Sequence, residues 1–306
     1  MRVRRIYLAL TALTLFISAL LLILPMLYRP EERVEGLRII VTFPSLLDDV
    51  AMLVCSGDNV SSIVPPGVDP HEYQLTPRDV EKLRESHLIV STGHAPFEAR
   101  IAEFVARGEL KAKLVEIPSI TGLKLRVNPA TGTVNLHWPI FDPSNYLLFI
   151  KNVSSILAEL RPACASVYLE KARDVEVNVK ALEAQAPLLN VTAAAASPVV
   201  QYAVEWMGMR VKYFLAREHE LPVSPEDLAR VEKALSEREV DVVVSIQGAE
   251  DTPLGAKLEE FAKRYNVPLI RVPSHVEPRS TRAKMVEIVQ EGRKLAELLN
   301  VTREGG

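Results

Sequence analysis

A histidine lies in a stretch whose backbone is stiffened on both sides, "SIVPPGVDPHEYQLTPRDVEKL" at residues 62–83. Three prolines and a glycine precede His71, and the pair Thr76-Pro77 after it predicts a helix start, because the hydroxyl caps free N–H groups and proline suits the first helical position. A rigid loop lowers the entropy cost of holding a metal-binding imidazole ready. Loops are also rich in these residues for other reasons, so the spacing alone leaves an ordinary surface histidine as the alternative.

The sequence lacks the common motifs of enzymes. It contains no HExxH, no HxH pair, no Gly-x-Ser-x-Gly elbow and no phosphate-binding glycine loop, and its histidines are separated from any nearby pair of carboxylates. We therefore predict a protein that is not an enzyme. The net charge of −3 provides no basic surface for nucleic acid, so we expect no nucleic-acid partner.

Short β-branched runs alternate with amphipathic segments along most of the chain, which predicts an α/β fold of parallel strands joined by helices. Helix starts are marked by Thr76-Pro77, Ser197-Pro198, Ser224-Pro225 and Thr252-Pro253, where each hydroxyl residue is expected to act as the cap. The predicted strands span residues 37–43, 61–64, 87–92, 112–117, 188–194, 210–215, 240–246 and 268–272.

The strands fall into two groups separated by a helical segment. After Pro162, apolar residues recur at spacings of three and four, which predicts a second helix of about 24 residues with one apolar stripe. The fold class we predict is α/β with two lobes, each a mainly parallel sheet flanked by helices, joined by one long rigid helix. The predicted domains are an anchor and tether (1–35), an N-terminal lobe (36–143), linking helices (144–186) and a C-terminal lobe (187–306).

The N-terminal segment is apolar enough to interact with a membrane. Residues 6–28 carry no charge and could cross a hydrocarbon core of about 30 Å, while Arg2, Arg4 and Arg5 favour a cytoplasmic N-terminus. We predict a single N-terminal membrane helix with the rest of the chain extracytoplasmic; a cleaved signal peptide, giving a secreted or periplasmic protein, is the alternative. Cys55 and Cys164 could pair in that compartment, or they could be two buried thiols.

Several segments resemble the zinc- and manganese-binding solute receptors of ABC importers, the ZnuA, TroA and PsaA type. The segment "IVPPGVDPHEYQLTPRDVEKL" is similar to the family's "VPPGxDPHxYxPTPxD", and "NLHWPIFDPSNYLLF" is similar to its "DPHxWLDPxNA". The resemblance covers residues 36–300, strongly in the first half and weakly in the second. It implies that His71 and His137 bind Zn²⁺ or Mn²⁺ as the transported ligand, that an ABC permease is the partner, and that the metal lies in a cleft between the lobes.

The chain departs from the family pattern at its third and fourth ligand positions. Ser197 occupies the third position, where it is a poor metal ligand, and Pro273 occupies the fourth. His275, a few residues on, could be a displaced ligand or a solvent-exposed loop residue. His94 follows the "HLIVST" strand and could point into the cleft or meet water beside a helix.

Two functions fit this sequence. The first is an extracytoplasmic receptor that delivers Zn²⁺ or Mn²⁺ to an ABC permease, with His71, His137, His275 and His94 as candidate ligands. The second is a receptor-like protein of the same fold that binds another solute or acts as a surface adhesin after its metal site has degraded. A site richer in histidine favours Zn²⁺, whereas oxygen ligands favour Mn²⁺.

Overall fold

The computed structural model describes residues 36–68, 71–217 and 223–304, with side chains described as far as residue 299. The predicted membrane segment, residues 6–28, lies outside this part of the chain. Within the described ranges, no helix has both the length and the apolar character needed to cross a membrane.

All eight predicted strands form, and they make two four-stranded sheets. Every pairing is parallel, in the order β2-β1-β3-β4 for the first sheet and β6-β5-β7-β8 for the second. The α/β prediction of two mainly parallel lobes is therefore confirmed. The strands are β1 (Arg38–Val41), β2 (Asn59–Ser62), β3 (Leu88–Ser91), β4 (Lys113–Glu116), β5 (Val191–Ala195), β6 (Met209–Phe214), β7 (Val242–Ile246) and β8 (Leu269–Val272).

Helices cover both sheets, which explains why the central strands are apolar on both faces. All four residues of β3 and all five of β5 are buried, as expected for parallel strands packed between helix layers. The α-helices are α1 (Leu47–Ala51), α2 (Pro77–Glu85), α3 (Pro96–Ala106), α4 (Pro143–Leu160), α5 (Ala165–Glu183), α6 (Gln201–Val204), α7 (Pro225–Ser236), α8 (Pro253–Tyr265) and α9 (Thr281–Glu304).

Three of the four predicted hydroxyl caps form. Thr76, Ser224 and Thr252 each accept a hydrogen bond from the backbone N–H three residues on. The prediction for Ser197 was wrong: it precedes a short 3₁₀ turn at Pro198–Val200, and its side chain makes no capping bond. A 3₁₀ turn closes its bonds one residue earlier than an α-helix, so the usual acceptor geometry is missing there.

Helices α4 and α5 connect the lobes. They contain 18 and 19 residues and are joined by a 3₁₀ turn at Pro162–Cys164, so they pack side by side as a hairpin. The second helix is five residues shorter than the predicted 24, because it ends near Glu183 and the chain then leads into β5. Its apolar stripe is present, with Tyr168, Val175 and Val179 all buried.

A disulfide fastens this hairpin to the first lobe. Cys55 and Cys164 are bonded, with their Cα atoms 6.2 Å apart, which decides between the two alternatives for these cysteines. Next to the bond, Asp58 accepts hydrogen bonds from Arg161 at 2.8 Å and from the Tyr168 hydroxyl at 2.7 Å. The cross-link lies at the amino end of β2, at the opposite edge of the sheet from the histidine-bearing loops.

A buried carboxylate joins the first lobe to the last helix. Asp49 in α1 is fully buried and accepts hydrogen bonds from the N–H and the hydroxyl of Thr281, at 2.9 and 2.6 Å. The hydroxyl of Tyr146 in α4 also donates to it, at 2.8 Å. Since Thr281 is the first residue of α9, the carboxylate of Asp49 caps that helix from another part of the fold.

We expect Asp49 to stabilise the protein more in mild acid than at neutral pH. Burial raises the pKa of Asp49 from 3.8 to about 6. Folding therefore takes up a proton, and this stabilising contribution is complete below the unfolded pKa and is lost as the pH rises through the folded pKa. The difference in free energy of unfolding between wild type and Asp49→Asn should fall by about 2.4 kcal/mol between pH 4 and pH 7.

Urea unfolding at several pH values measures this difference. The window lies below the pKa of the neighbouring Lys284, which burial lowers to about 8, so that this ammonium keeps its charge throughout. A wild-type minus variant difference that stays constant from pH 4 to pH 7 would show that the pKa of Asp49 is not raised in the folded protein.

Candidate metal centre

Three histidines lie on segments that follow the carboxyl ends of strands in the first sheet. His71 lies in the connection after β2, His94 follows β3, and His137 lies in the long connection after β4. Because the strands are parallel, these connections begin at one edge of the sheet, which is where ligands bind in open α/β folds.

The connection after His71 is held by the N-terminal cap of α2. The Asp79 carboxylate accepts hydrogen bonds from the N–H and the hydroxyl of Thr76, at 2.9 and 2.7 Å, while Thr76 accepts from the Asp79 N–H. This reciprocal pair is a capping box. The Tyr73 hydroxyl donates to the same carboxylate at 2.7 Å, so the chain two residues beyond His71 is fixed to the helix.

His94 lies in a turn that only glycine allows. Gly93 has a φ of +76°, and a Cβ at this position would lie 2.8 Å from Cδ of Pro118. The backbone N–H of His94 donates to Glu98 Oε2 at 3.0 Å. A larger residue at position 93 would thus displace the histidine that follows it.

Hydrogen bonds also define which ring nitrogen of His94 is available. The Thr92 hydroxyl donates to the Glu98 carboxylate at 2.6 Å, so its oxygen is left to accept from His94 Nδ1 at 3.2 Å. With the proton on Nδ1, the lone pair of the ring lies on Nε2. Metal-binding histidines are normally oriented by such a hydrogen bond from the ring nitrogen that does not bind the metal.

The position of the ring proton of His137 is determined in the same way, by the side-chain amide of Asn135. His137 Nδ1 lies 3.0 Å from Asn135 Oδ1, and the backbone N–H of His137 donates to that oxygen at 2.9 Å. Asn135 Nδ2 donates to the carbonyl of Pro198 at 2.9 Å, and a carbonyl can only accept, so the orientation of the amide is determined. His137 therefore carries its proton on Nδ1, which leaves the lone pair of the ring on Nε2.

The structure brings these three imidazoles together. His71, His94 and His137 each offer a ring nitrogen, and the three nitrogens lie within 4.8 Å of one another. Tetrahedral zinc with Zn–N bonds of about 2.0–2.1 Å needs nitrogens roughly 3.3 Å apart, so the group must contract by no more than about 1.5 Å. No carboxylate belongs to this group among the described residues.

His275 lies close to the group without joining it. Its ring packs against Trp138 with the ring centroids 5.9 Å apart, and its carbonyl accepts a hydrogen bond from Lys284 Nζ at 3.0 Å. Trp138 has a φ of +52°, a left-handed conformation that costs energy for a bulky residue. That strained residue follows His137 directly, and its ring lies beside both the His275 ring and the buried Lys284 ammonium.

A cleft between the lobes gives access to the site. Its volume is about 350 Å³, and His71 and His275 both line it. The remaining lining residues are Phe43, Pro44, Pro65, Gly67 and Val68 from the first lobe, with Ile246, Ser274 and Val276 from the second.

Two further residues of the second lobe are relevant to the missing ligand positions. Ser197 is buried, and Glu277, two residues beyond His275, forms an ion pair with Arg279 and is not part of the group. Sequence reasoning missed the residues that orient the histidines, Asn135 and Thr92. Each lies two positions before its histidine, and that spacing of a polar residue was the available signal.

The comparisons with known proteins concern metal-binding receptors. The profile of the family described as "ZnuA: Zinc-uptake complex component A periplasmic" matches residues 39–272. The chain is 27% identical over 246 residues to the iron-binding protein YfeA of Yersinia pestis, covering 77% of this chain and 78% of that protein. It is 26% identical over 174 residues to the manganese ABC transporter substrate-binding lipoprotein PsaA of Streptococcus pneumoniae serotype 4, covering 54% of this chain and 55% of that one.

Solved structures agree with this fold. The substrate-binding protein FpvC from Pseudomonas aeruginosa, solved in complex with Mn²⁺, matches with a TM-score of 0.68 and 24% identity. The match covers 89% of this chain and all of FpvC. At this level of identity the likeness concerns the fold, and the ligand chemistry has to be argued from the residues themselves.

Proposed function

Because the chain belongs to the family of ZnuA-type periplasmic components of zinc-uptake complexes, we propose that it captures a divalent metal ion on His71, His94 and His137 and delivers it to an ABC permease. The family consists of metal-binding substrate-binding proteins of ABC importers, which are receptors and not enzymes. The observation that carries the proposal is the group of three ring nitrogens within 4.8 Å of one another at the cleft.

We infer further that the preferred ion is Zn²⁺. Imidazole suits Zn²⁺, whereas Mn²⁺ favours carboxylate, carbonyl and water oxygens, and Zn²⁺ also lies above Mn²⁺ in the general order of affinities. The named relatives carry iron and manganese, so ligand chemistry is a better guide to the ion than resemblance. Three neutral imidazoles leave a fourth position open, and His275 on the other side of the cleft is the candidate to fill it on closure.

The full chain, purified without chelator, is expected to contain about one zinc ion per molecule. In competition titrations with a chromophoric chelator, Zn²⁺ should bind at least about 100-fold more tightly than Mn²⁺, because no oxygen ligand in the group favours manganese. Tighter binding of Mn²⁺ would contradict the assignment. A purified chain without any stoichiometric transition metal that also fails to take up Zn²⁺ would favour a receptor-like protein for another solute, or an adhesin.

Delivery requires a location outside the cytoplasm. Relatives are named as lipoproteins and the family as periplasmic, which supports an extracytoplasmic chain. We propose that residues 6–28 hold it at the membrane beside its permease. Cells that lack the chain should lose high-affinity uptake of radioactive zinc, and unchanged uptake would argue against the delivery role.

A further inference from the structure

The second lobe contributes no His, Cys, Asp or Glu ligand to the group of histidines among the described residues, yet the side chain of Asn135 connects His137 to that lobe. We propose that Asn135 couples metal capture at His137 to the second lobe, so that residues 198–205 respond to the bound ion. This inference rests on the proposed metal-binding function. In the family pattern, a metal ligand at the position of Ser197 would connect the second lobe to the ion. Here the side-chain amide of Asn135 makes the connection instead.

Asn135 uses every hydrogen-bonding position of its side chain. The oxygen accepts from the backbone N–H and from Nδ1 of His137, at 2.9 and 3.0 Å. The nitrogen donates to the Pro198 carbonyl and to Gln201 Oε1, both at 2.9 Å. Two donors and two lone pairs are the full capacity of a carboxamide, and the residue is only 3% exposed, so it cannot rotate without losing a buried hydrogen bond.

The backbone around Asn135 is bound to the same part of the second lobe. The Tyr202 hydroxyl donates to the carbonyl of Asn135 at 2.7 Å and accepts from the N–H of Arg126, also at 2.7 Å. Gln201 Nε2 donates to the carbonyl of Val127 at 3.0 Å. The segment that contains His137 and the segment that begins at Pro198 therefore move together or exchange several hydrogen bonds.

Metal binding acts on this connection in two ways. The three ring nitrogens must approach each other by up to about 1.5 Å to reach zinc-binding separations, and a rigid imidazole transmits a shift of Nε2 to Nδ1. A cation on Nε2 also withdraws electrons from the ring and strengthens the bond from Nδ1–H to Asn135 Oδ1. Both effects reach Pro198 and Gln201 through a single amide.

Hydrogen exchange of the full chain tests this coupling. With saturating Zn²⁺, wild type should show slower amide exchange across residues 198–205 than the apo protein, because the segment is held more firmly. Asn135→Ala removes the side-chain hydrogen bonds to His137 and those to Pro198 and Gln201. It should weaken zinc affinity by about 10–100-fold, as loss of the group that orients a metal-binding histidine normally does, and should abolish the zinc-dependent slowing.

The double variant Asn135→Asp/Gln201→Leu keeps the hydrogen bond to His137 and removes the one to the second lobe. The carboxylate still accepts from His137, so zinc affinity and the visible spectrum of the Co²⁺-loaded protein should match wild type. The carboxylate cannot donate to the Pro198 carbonyl. The Gln201 amide could flip and donate to the new carboxylate, and its replacement by leucine prevents this, so the zinc-dependent slowing at 198–205 should be lost. Gln201→Leu alone removes the bond to the Val127 carbonyl but keeps the bond from Asn135 to Pro198, so it should retain the slowing; loss of the slowing in this single variant would contradict coupling through Asn135.

Asn128→Ala is the matched control. Asn128 is also a buried amide that donates to a second-lobe carbonyl, that of Arg217, and its side-chain oxygen accepts a hydrogen bond from the Ala130 N–H. This variant should keep both the affinity and the slowing. Coupling through Asn135 is refuted if wild type binds zinc without any slowing at 198–205, or if Asn135→Ala keeps the full response. Failure of wild type to bind zinc at all would instead refute the proposed function and the coupling with it.

Discussion

Replacement of any one of His71, His94 and His137 by alanine is expected to abolish the zinc-dependent rise in melting temperature of the full chain. In wild type, zinc at about 100 times its dissociation constant should stabilise the fold by about 2.7 kcal/mol. For a chain of this size, with an unfolding entropy of about 2.1 cal/mol/K per residue, that corresponds to a rise of roughly 4–5 °C. Loss of one imidazole leaves two protein ligands, and zinc sites normally need three or four.

Thermal scans with and without Zn²⁺ measure the effect, and two other histidines provide controls. His87→Ala removes an imidazole that accepts a hydrogen bond from the Arg38 N–H in the first lobe, and it should leave the zinc-dependent rise unchanged. His275→Ala should reduce the rise without abolishing it if that residue only completes the site after closure. A full rise in His94→Ala would show that the ion is held without this residue.

Loss of the disulfide is expected to have the largest effect on stability. Cys55 and Cys164 are 109 residues apart in sequence, and a cross-link that closes so long a loop removes much of the entropy of the unfolded chain. The chain-entropy relation gives about 4–5 kcal/mol for a loop of this length, so the double variant Cys55→Ser/Cys164→Ser should lose stability of that order. Guanidinium unfolding of the two proteins provides the comparison.

Zinc affinity serves as the control for the disulfide variant. The bond lies at the amino end of β2, whereas the histidines follow the carboxyl ends of the strands, so zinc should bind the folded double variant as tightly as wild type. A loss of stability below about 1 kcal/mol would mean that the unfolded chain gains little freedom when the cross-link is removed. A parallel loss of zinc affinity would mean that the cross-link positions the site.

The strands and helices of this protein follow from its local sequence. Short β-branched runs mark the eight strands, and three hydroxyl–proline pairs cap helices as predicted, because a capping side chain bonds to an N–H only three residues away. Ser197 is the exception, since a hydroxyl beside proline does not decide between an α-helix and a 3₁₀ turn. Local bonds depend on neighbouring residues, which a single sequence displays directly.

The site required the tertiary structure. His71 and His137 stood at recognisable positions, but His94 had two possible environments until β3 was placed between β1 and β4 with its carboxyl end at the same edge. The pairing of Cys55 with Cys164 was likewise undecided by sequence. Strand order and the packing of distant segments determine such contacts, and these depend on the free energy of the whole fold.

Asn135 shows this division within one residue. Its place two positions before His137 is visible in the sequence, whereas its bonds to Pro198 and Gln201, more than 60 residues away, appear only when the lobes are packed together. The sequence thus determined which residue types could bind a metal ion and where the strands and helices form. Only the packed lobes decided which imidazoles meet and what holds them, because a buried polar group takes whatever partner the fold brings within reach.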